Sequence, residues 1–255
     1  MTANIPTKQP YLTVIIPQFN ELSNLKKGVL ESVHSFLQAQ SFSYEVIIVD
    51  DGSSDDSYEY SSTCTAEYEH FAVIKAEHGG KAKALHEGIQ RASGKYTLFT
   101  DMDQSTPLEE LHKLLPHLNN YSVVIGSRGA KRSGSSFLRK TASGMFTLFR
   151  RTLLLRDIQD TQCGFKLFDT KVLQTYFPKL EALQEKTGKG WVVSAFDVEL
   201  IFILHCKGYS ICEVEVSWAN EDVSTNKNRK FFKESINMLK QIWVIKQNHL
   251  RKKYE

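Results

Sequence analysis

The sequence predicts an α/β protein with a Rossmann-like, mostly parallel central sheet carrying helices on both faces. Three observations predict it. Five apolar, β-branched runs of strand length recur through the first 126 residues, and longer segments with helical periodicity separate them. The acids and the arginine that could do chemistry stand where those runs end. Nearly continuous apolar strands suit a sheet covered on both faces, and the ligands of such sheets gather beyond the strand carboxyl ends.

In chain order, the run 11–17 (YLTVIIP) is the first expected strand, with Asn20 and Glu21 just past it. Segment 22–40 sets Leu25, Val29, Leu30, Val33, Phe36 and Leu37 at helical intervals. Runs 44–50 (YEVIIVD), 71–76 (FAVIKA), 96–101 (YTLFTD) and 121–126 (YSVVIG) are the next strands, and 80–92 and 107–118 the next helices. The second half is less regular: a basic, apolar segment over 134–156, a strand near 163–168, a helix at 196–207, a strand at 209–218 and a final helix from about 230. No internal repeat or low-complexity linker divides the chain.

Composition narrows the function classes. With 255 residues, 41% of them hydrophobic, the chain can bury a sizeable core and is not expected to be disordered. A net charge of +3 is too mild to point to nucleic acid. No run approaches the roughly 18 apolar residues of a membrane span, which leaves open lying on a membrane surface. Cys64, Cys163, Cys206 and Cys212 lack CxxC spacing, and the opening MTANIPTKQP has no apolar signal segment, so a reducing, cytoplasmic setting is expected. The eight histidines form no HExxH or comparable metal spacing.

The chemistry centres on TLFTDMDQSTP. Residues i and i+2 of an extended backbone leave on the same side, so Asp101 and Asp103 are expected to deliver two hard oxygen donors to one point at the sheet rim. Such a pair suits Mg²⁺ or Mn²⁺ carrying a diphosphate. The other strand ends contribute Pro17 and Glu21, Asp50 and Asp51, and Ser127 and Arg128. Taken singly, each fits an ordinary turn or helix start, as Asp51-Gly52-Ser53 does. Together they surround one edge, where carboxylates can hold a base and ribose while metal and guanidinium hold a diphosphate. EHGGKAKAL is not a P-loop, because Lys75 stands at the leading glycine position and Ala82 at the final hydroxyl position; Lys81 is left as a cation near a phosphate. No GxGxxG follows the first strand, which leaves a dinucleotide-binding reading little support.

These pieces resemble the inverting family-two glycosyltransferases of the GT-A fold. The matching stretches are PQFNE (17–21), VDDGSSDDS (49–57), TDMDQSTP (100–107), IGSR (125–128) and DTQCGFKLF (160–168). Within that family the chain looks most like enzymes that move a sugar from a nucleotide to polyprenyl phosphate, especially the dolichyl-phosphate glucosyltransferases. The resemblance implies one GT-A domain over 1–255, with a nucleotide-sugar half at 11–128, an acceptor half at 129–229 and an amphipathic C-terminal helix at 230–255. It also implies that Pro17, Phe19, Glu21 and Asp51 line the nucleotide, that Asp101 and Asp103 bind it through the divalent ion, and that Arg128 faces phosphate. Lys227 or Arg229, in NEDVSTNKNRKF, would reach the diphosphate. Two positions depart from the pattern: Phe19 stands where relatives commonly have Tyr or His, and Ser105 where mannosyl relatives have a metal-binding Gln. The sugar expected is therefore glucose, the donor UDP- rather than GDP-linked, and the third metal ligand is open.

The acceptor decides whether a base is needed. A hydroxyl must lose a proton to a carboxylate such as Asp197, whereas a phosphate, with a second pKa of about 6, is already largely anionic. Asp197 and Glu199 are i and i+2 on the expected helix, so only one can face inward. Cations follow the nucleotide edge at Lys131, Arg132, Arg139 and Lys140, which favours a phosphate; Arg128, Arg132 and Arg139 are expected to hold it. Phe137, Leu138, Met145, Phe146, Phe149 and Leu153 alternate with Arg139, Lys140, Arg150 and Arg151, a basic amphipathic pattern that suits a lipid surface. A saccharide-hydroxyl transferase and a non-catalytic nucleotide-sugar binder remain the alternatives.

Overall fold

The computed structural model describes residues 9–129, 153–184, 195–219 and 231–254. Seven strands form one sheet: β1 (Leu12–Gln18), β2 (Tyr44–Asp50), β3 (Phe71–Lys75), β4 (Tyr96–Phe99), β5 (Val123–Ser127), β6 (Lys166–Asp169) and β7 (Ile211–Glu215), in the order β3-β2-β1-β4-β6-β5-β7. Neighbouring pairs are parallel except at β6, which runs antiparallel to both β4 and β5. The sheet is therefore mostly parallel, as its apolar strands predict, with one reversed strand inside it. Reversal places the first residue of β6, Lys166, across from Phe99 and Ile125, at the edge where its parallel neighbours end.

Side-chain alternation divides the core in two. Ile15, Ile47, Val49, Phe99, Ile125 and Phe168 face one layer of helices, whereas Val14, Ile16, Val46, Ile48, Leu98, Val124 and Leu167 face the other. On the first face lie α4 (Lys81–Arg91), α6 (Thr170–Tyr176) and α8 (Phe196–Cys206); on the second lie α2 (Val29–Gln38) and α5 (Leu111–Leu114). Helix α8 is buried at Phe196 and from Val198 through Leu204, so it sits within the core rather than on it. Short helices α1 (Leu22–Leu25) and α7 (Glu181–Gln184), with α3 (Ser57–Cys64) and the long α9 (Phe231–Leu250), complete the described elements.

Several boundaries differ from expectation for local reasons. The helix expected over 22–40 is two pieces, because Gly28 adopts a left-handed φ of 81° between α1 and α2. Segment 107–118 is broken into 3₁₀ and α turns, with Pro116 near the start of the last. Strand β4 stops at Phe99, so Asp101 and Asp103 lie beyond it in a turn whose Gln104 has a φ of 48°. A turn rather than strand alternation therefore places those two acids. None of the described helices is long and apolar enough to cross a membrane.

Candidate active site at the carboxyl edge of the sheet

Past β1, Pro17 and Gln18 are buried and Phe19 stacks on His78, ring centroids 4.5 Å apart at 21°. Asn20, held at a φ of 54°, accepts from Ser54 N at 2.8 Å and so staples the turn that follows β2. Glu21 is buried and accepts from Asn24 Nδ2 at 2.6 Å, while its own N–H donates to Ser57 Oγ. The first two strand ends are thus tied to each other before any ligand is considered.

Asp50 and Asp51 are both fully buried. Asp50 accepts from Ser53 N and from Gln18 Nε2, each at 3.0 Å. Asp51 accepts from Gly79 N at 2.8 Å and Gly80 N at 2.9 Å, with His78 Nδ1 at 3.0 Å. Burial pushes its carboxyl above the ordinary range, and the two N–H groups and His78 pull part of the way back. Asp51, expected to line the nucleotide, shapes the 78–80 loop with its oxygens. That loop carries His78 under Phe19 and leads into α4, whose first residue is Lys81.

Lys81 Nζ lies 2.5 Å from Asp101 Oδ1, and Asp103 Oδ1 accepts from Ser105 N at 2.9 Å. Burial lowers the pKa of the Lys81 ammonium, but the carboxylates of Asp101, Asp197 and Asp103 around it raise it above its usual value. Gly164 passes so close that a Cβ there would overlap the Asp101 carboxylate. Among the described residues no group of three or more His, Cys, Asp or Glu side chains could hold a metal alone. Two hard carboxylates suit a Mg²⁺ or Mn²⁺ whose other positions come from diphosphate and water.

Arg128, at the end of β5, forks onto Asp160: Nε to Oδ2 at 2.7 Å and Nη2 to Oδ1 at 2.8 Å. Its guanidinium also lies 5.8 Å from the Trp218 ring. Burial lowers its pKa, and Asp160 more than offsets this. Arg128, expected to face phosphate, is held in a carboxylate fork at the same edge.

The second half adds one more acid. Asp197, in the first turn of α8, accepts from Lys166 Nζ at 2.7 Å, and its charge acts on both Lys81 and Arg128. Glu199 takes the other direction: buried, it accepts from Glu181 N at 3.0 Å and from Tyr254 OH at 2.8 Å. Of the two acids in AFDVEL, Asp197 faces the edge and Glu199 the core. Arg132, Arg139, Lys227 and Arg229, with the basic segment up to 152, lie outside the described residues.

Sequence reasoning missed His78, Asp160, Gly164 and Lys166 as parts of this site. Three of them stand in DTQCGFKLF, where a lysine interrupting an apolar run of strand length is the signal of a paired, buried cation.

A family model described as "Glycosyl transferase family 2" matches residues 13–177. Curated relatives include a dolichyl-phosphate beta-glucosyltransferase of Dictyostelium discoideum, 33% identical over 96% of this chain and 76% of its own length. Those of Saccharomyces cerevisiae and Homo sapiens are 28% and 32% identical, over 94% and 84% of this chain and 75% and 68% of their own. Among solved structures, the mannosyltransferase PcManGT of Pyrobaculum calidifontis, in complex with GDP-Man and Mn²⁺, aligns with a TM-score of 0.62 at 17% identity, covering 96% of this chain and 66% of its own. Glucosyl-3-phosphoglycerate synthase of Mycobacterium tuberculosis, in complex with UDP, gives 0.61 at 17% identity over 93% and 80%. At such identities these structures establish the fold and nothing finer.

Proposed function

The chain belongs to glycosyl transferase family 2 with a GT-A fold, and from that premise we propose that it transfers glucose from UDP-glucose to a dolichyl or polyprenyl phosphate at a membrane surface. One observation carries the reading. Asp101 and Asp103 of the first half and Asp197 of the second meet around Lys81, so a diphosphate leaving group and an acceptor would face each other across one seam. The names of the relatives support the sugar and the lipid phosphate.

In this reading Pro17, Phe19 and Glu21 line the nucleotide, with Phe19 on His78 offering an aromatic face for the base. Asp51 works through the loop it holds. Asp101 and Asp103 would hold Mg²⁺ or Mn²⁺, which supplies positive charge to the departing diphosphate. Lys81 lies beside that position and adds to the same stabilisation, as would Lys227 or Arg229. Asp197 Oδ1 is already engaged by the Lys166 ammonium at 2.7 Å. That pairing favours a phosphate acceptor, already anionic, over a saccharide hydroxyl. Arg128, Arg132 and Arg139 are the proposed cations for it.

The membrane part of the reading rests on α9. Trp243, Val244 and Leu250 are exposed by 52%, 40% and 71%, and Lys240, Lys246, Arg251 and Lys252 stand among them. An exposed Trp flanked by bases suits an anionic headgroup layer.

The test is to incubate the protein with Mn²⁺, a panel of UDP- and GDP-sugars and polyprenyl phosphate in vesicles containing phosphatidylserine, and to measure lipid-linked sugar. UDP-glucose is expected to give the product and the protein to float with the vesicles. Absence of product with every pair would overturn the transfer, and sedimentation without vesicles would overturn the membrane contact.

A further inference from the structure

One buried charge enters the reading above only as the partner of Asp197. Lys166 opens the reversed strand β6 and its side chain is 1% exposed. It shares the face of Phe168, toward α4 and α8, and its ammonium is caught between the Cys163 carbonyl oxygen and Asp197 Oδ1. Asp197 keeps 18% exposure, so the pair runs from the core to the seam. Its partner helix belongs to the acceptor half, whereas β6 lies against β4, whose end leads to Asp101.

Stability alone is a poor account of such a pair. Two buried charges repay their desolvation barely, and well-packed apolar residues of similar size commonly do as well or better. What an apolar pair could not do is hold a negative charge at a fixed place. Asp197 bears on the ammonium of Lys81 and on the guanidinium of Arg128. Lys81 also sits at the N-terminal turn of α4, where the helix dipole disfavours a cation, so its place depends on the acids around it.

We propose that Lys166 is a positioning residue for the transfer reaction: from inside the sheet it fixes the Asp197 carboxylate at the seam, and through Asp197 it aligns Lys81 beside Asp101. The proposal rests on the transfer reaction proposed for this seam. Lys166 itself touches no substrate.

The test compares Lys166→Met, Lys166→Arg, Asp197→Asn and the Lys166→Met/Asp197→Asn double variant, each with a thermal melt and steady-state transfer kinetics. Lys166→Met is expected to lower kcat by about ten-fold or more while the KM of the nucleotide sugar stays within about three-fold, the signature of a lost transition-state interaction rather than of lost binding. Lys166→Arg recovers most of the loss. Because Lys166 acts through Asp197, the double variant falls no further than the worse single one. A folded Lys166→Met with kcat within about two-fold of the parent, or single losses that multiply in the double variant, would overturn the proposal. Should Lys166→Met lack a cooperative melt, Lys166→Gln is read in its place by the same criteria. A parent protein with no transfer to any acceptor would instead sink the proposed function, so the two failures are distinct.

Discussion

The acids at the carboxyl edge of the sheet are used in two ways, which differ between the halves. In the first half they accept from nearby backbone and amide groups: Asp50 from Ser53 N, Asp51 from Gly79 and Gly80 N, Asp103 from Ser105 N, Glu21 from Asn24. At the same edge the second half contributes acids that neutralise cations across the fold, Asp160 on Arg128 and Asp197 on Lys166, while Glu199 in the core accepts from Glu181 N and Tyr254 OH. Asp101, on Lys81, is a first-half edge acid that behaves like Asp160 and Asp197. The contrast separates loop shaping from charge placement. Where an acid shapes a loop, its removal unties backbone; where it places a charge, its removal strands a cation.

Three substitutions sharpen or break that contrast. The largest effect is expected at Asp101, where Asp101→Asn should lower transfer by about 100- to 1,000-fold, comparable to removing one preorganised charge contact at a reacting centre. Its melting temperature should move little, because the carboxylate is 39% exposed; a large drop in melting temperature would place Asp101 with the structural acids. Next, Asp160→Ala strands the Arg128 guanidinium, whose side chain is 17% exposed. Removing one partner of a buried pair costs about 3–5 kcal/mol, read as a lower urea midpoint. An unchanged midpoint would mean that the fork contributes nothing.

The smallest effect concerns pH. Burial raises the Glu199 carboxyl above its ordinary 4.5. In the window above that value the folded protein binds a proton that the unfolded chain has released, so stability falls as pH rises through it and levels off once the folded group has ionised. Glu199→Gln should flatten that slope in urea titrations at a series of pH values. An identical slope in parent and variant would show that Glu199 does not carry it.

Much of the first half was legible in the sequence because its signals are local. Five apolar runs fall on β1 to β5, and the turn residues after β2 bond within a few positions, Asp50 to Ser53 for example. Asp101 and Asp103 were found by type and spacing, although a turn rather than strand alternation places them. The second half hid its pairs. Asp160–Arg128 and Asp197–Lys166 join residues 32 and 31 positions apart, and no periodicity links their ends. Helices α3, α6 and α7 were not foreseen, since none combines a long apolar stripe with a distinctive start. The orientation of Asp197 outward and Glu199 inward depended on Tyr254 and Glu181, far along the chain.

The reversed strand has a consequence for biosynthesis. β4 and β5 do not pair with each other; β6 lies between them. A chain that has emerged only as far as Arg128 can therefore assemble β3-β2-β1-β4 but must leave β5 waiting, with an open edge on β4 that invites mispairing. Closure comes when Lys166–Asp169 slides in and stitches both strands at once, a contact between distant parts of the chain and hence slow to find. The same insertion that closes the sheet carries Lys166 to the seam, so the charge arrangement at the catalytic edge is completed only when the sheet itself is complete.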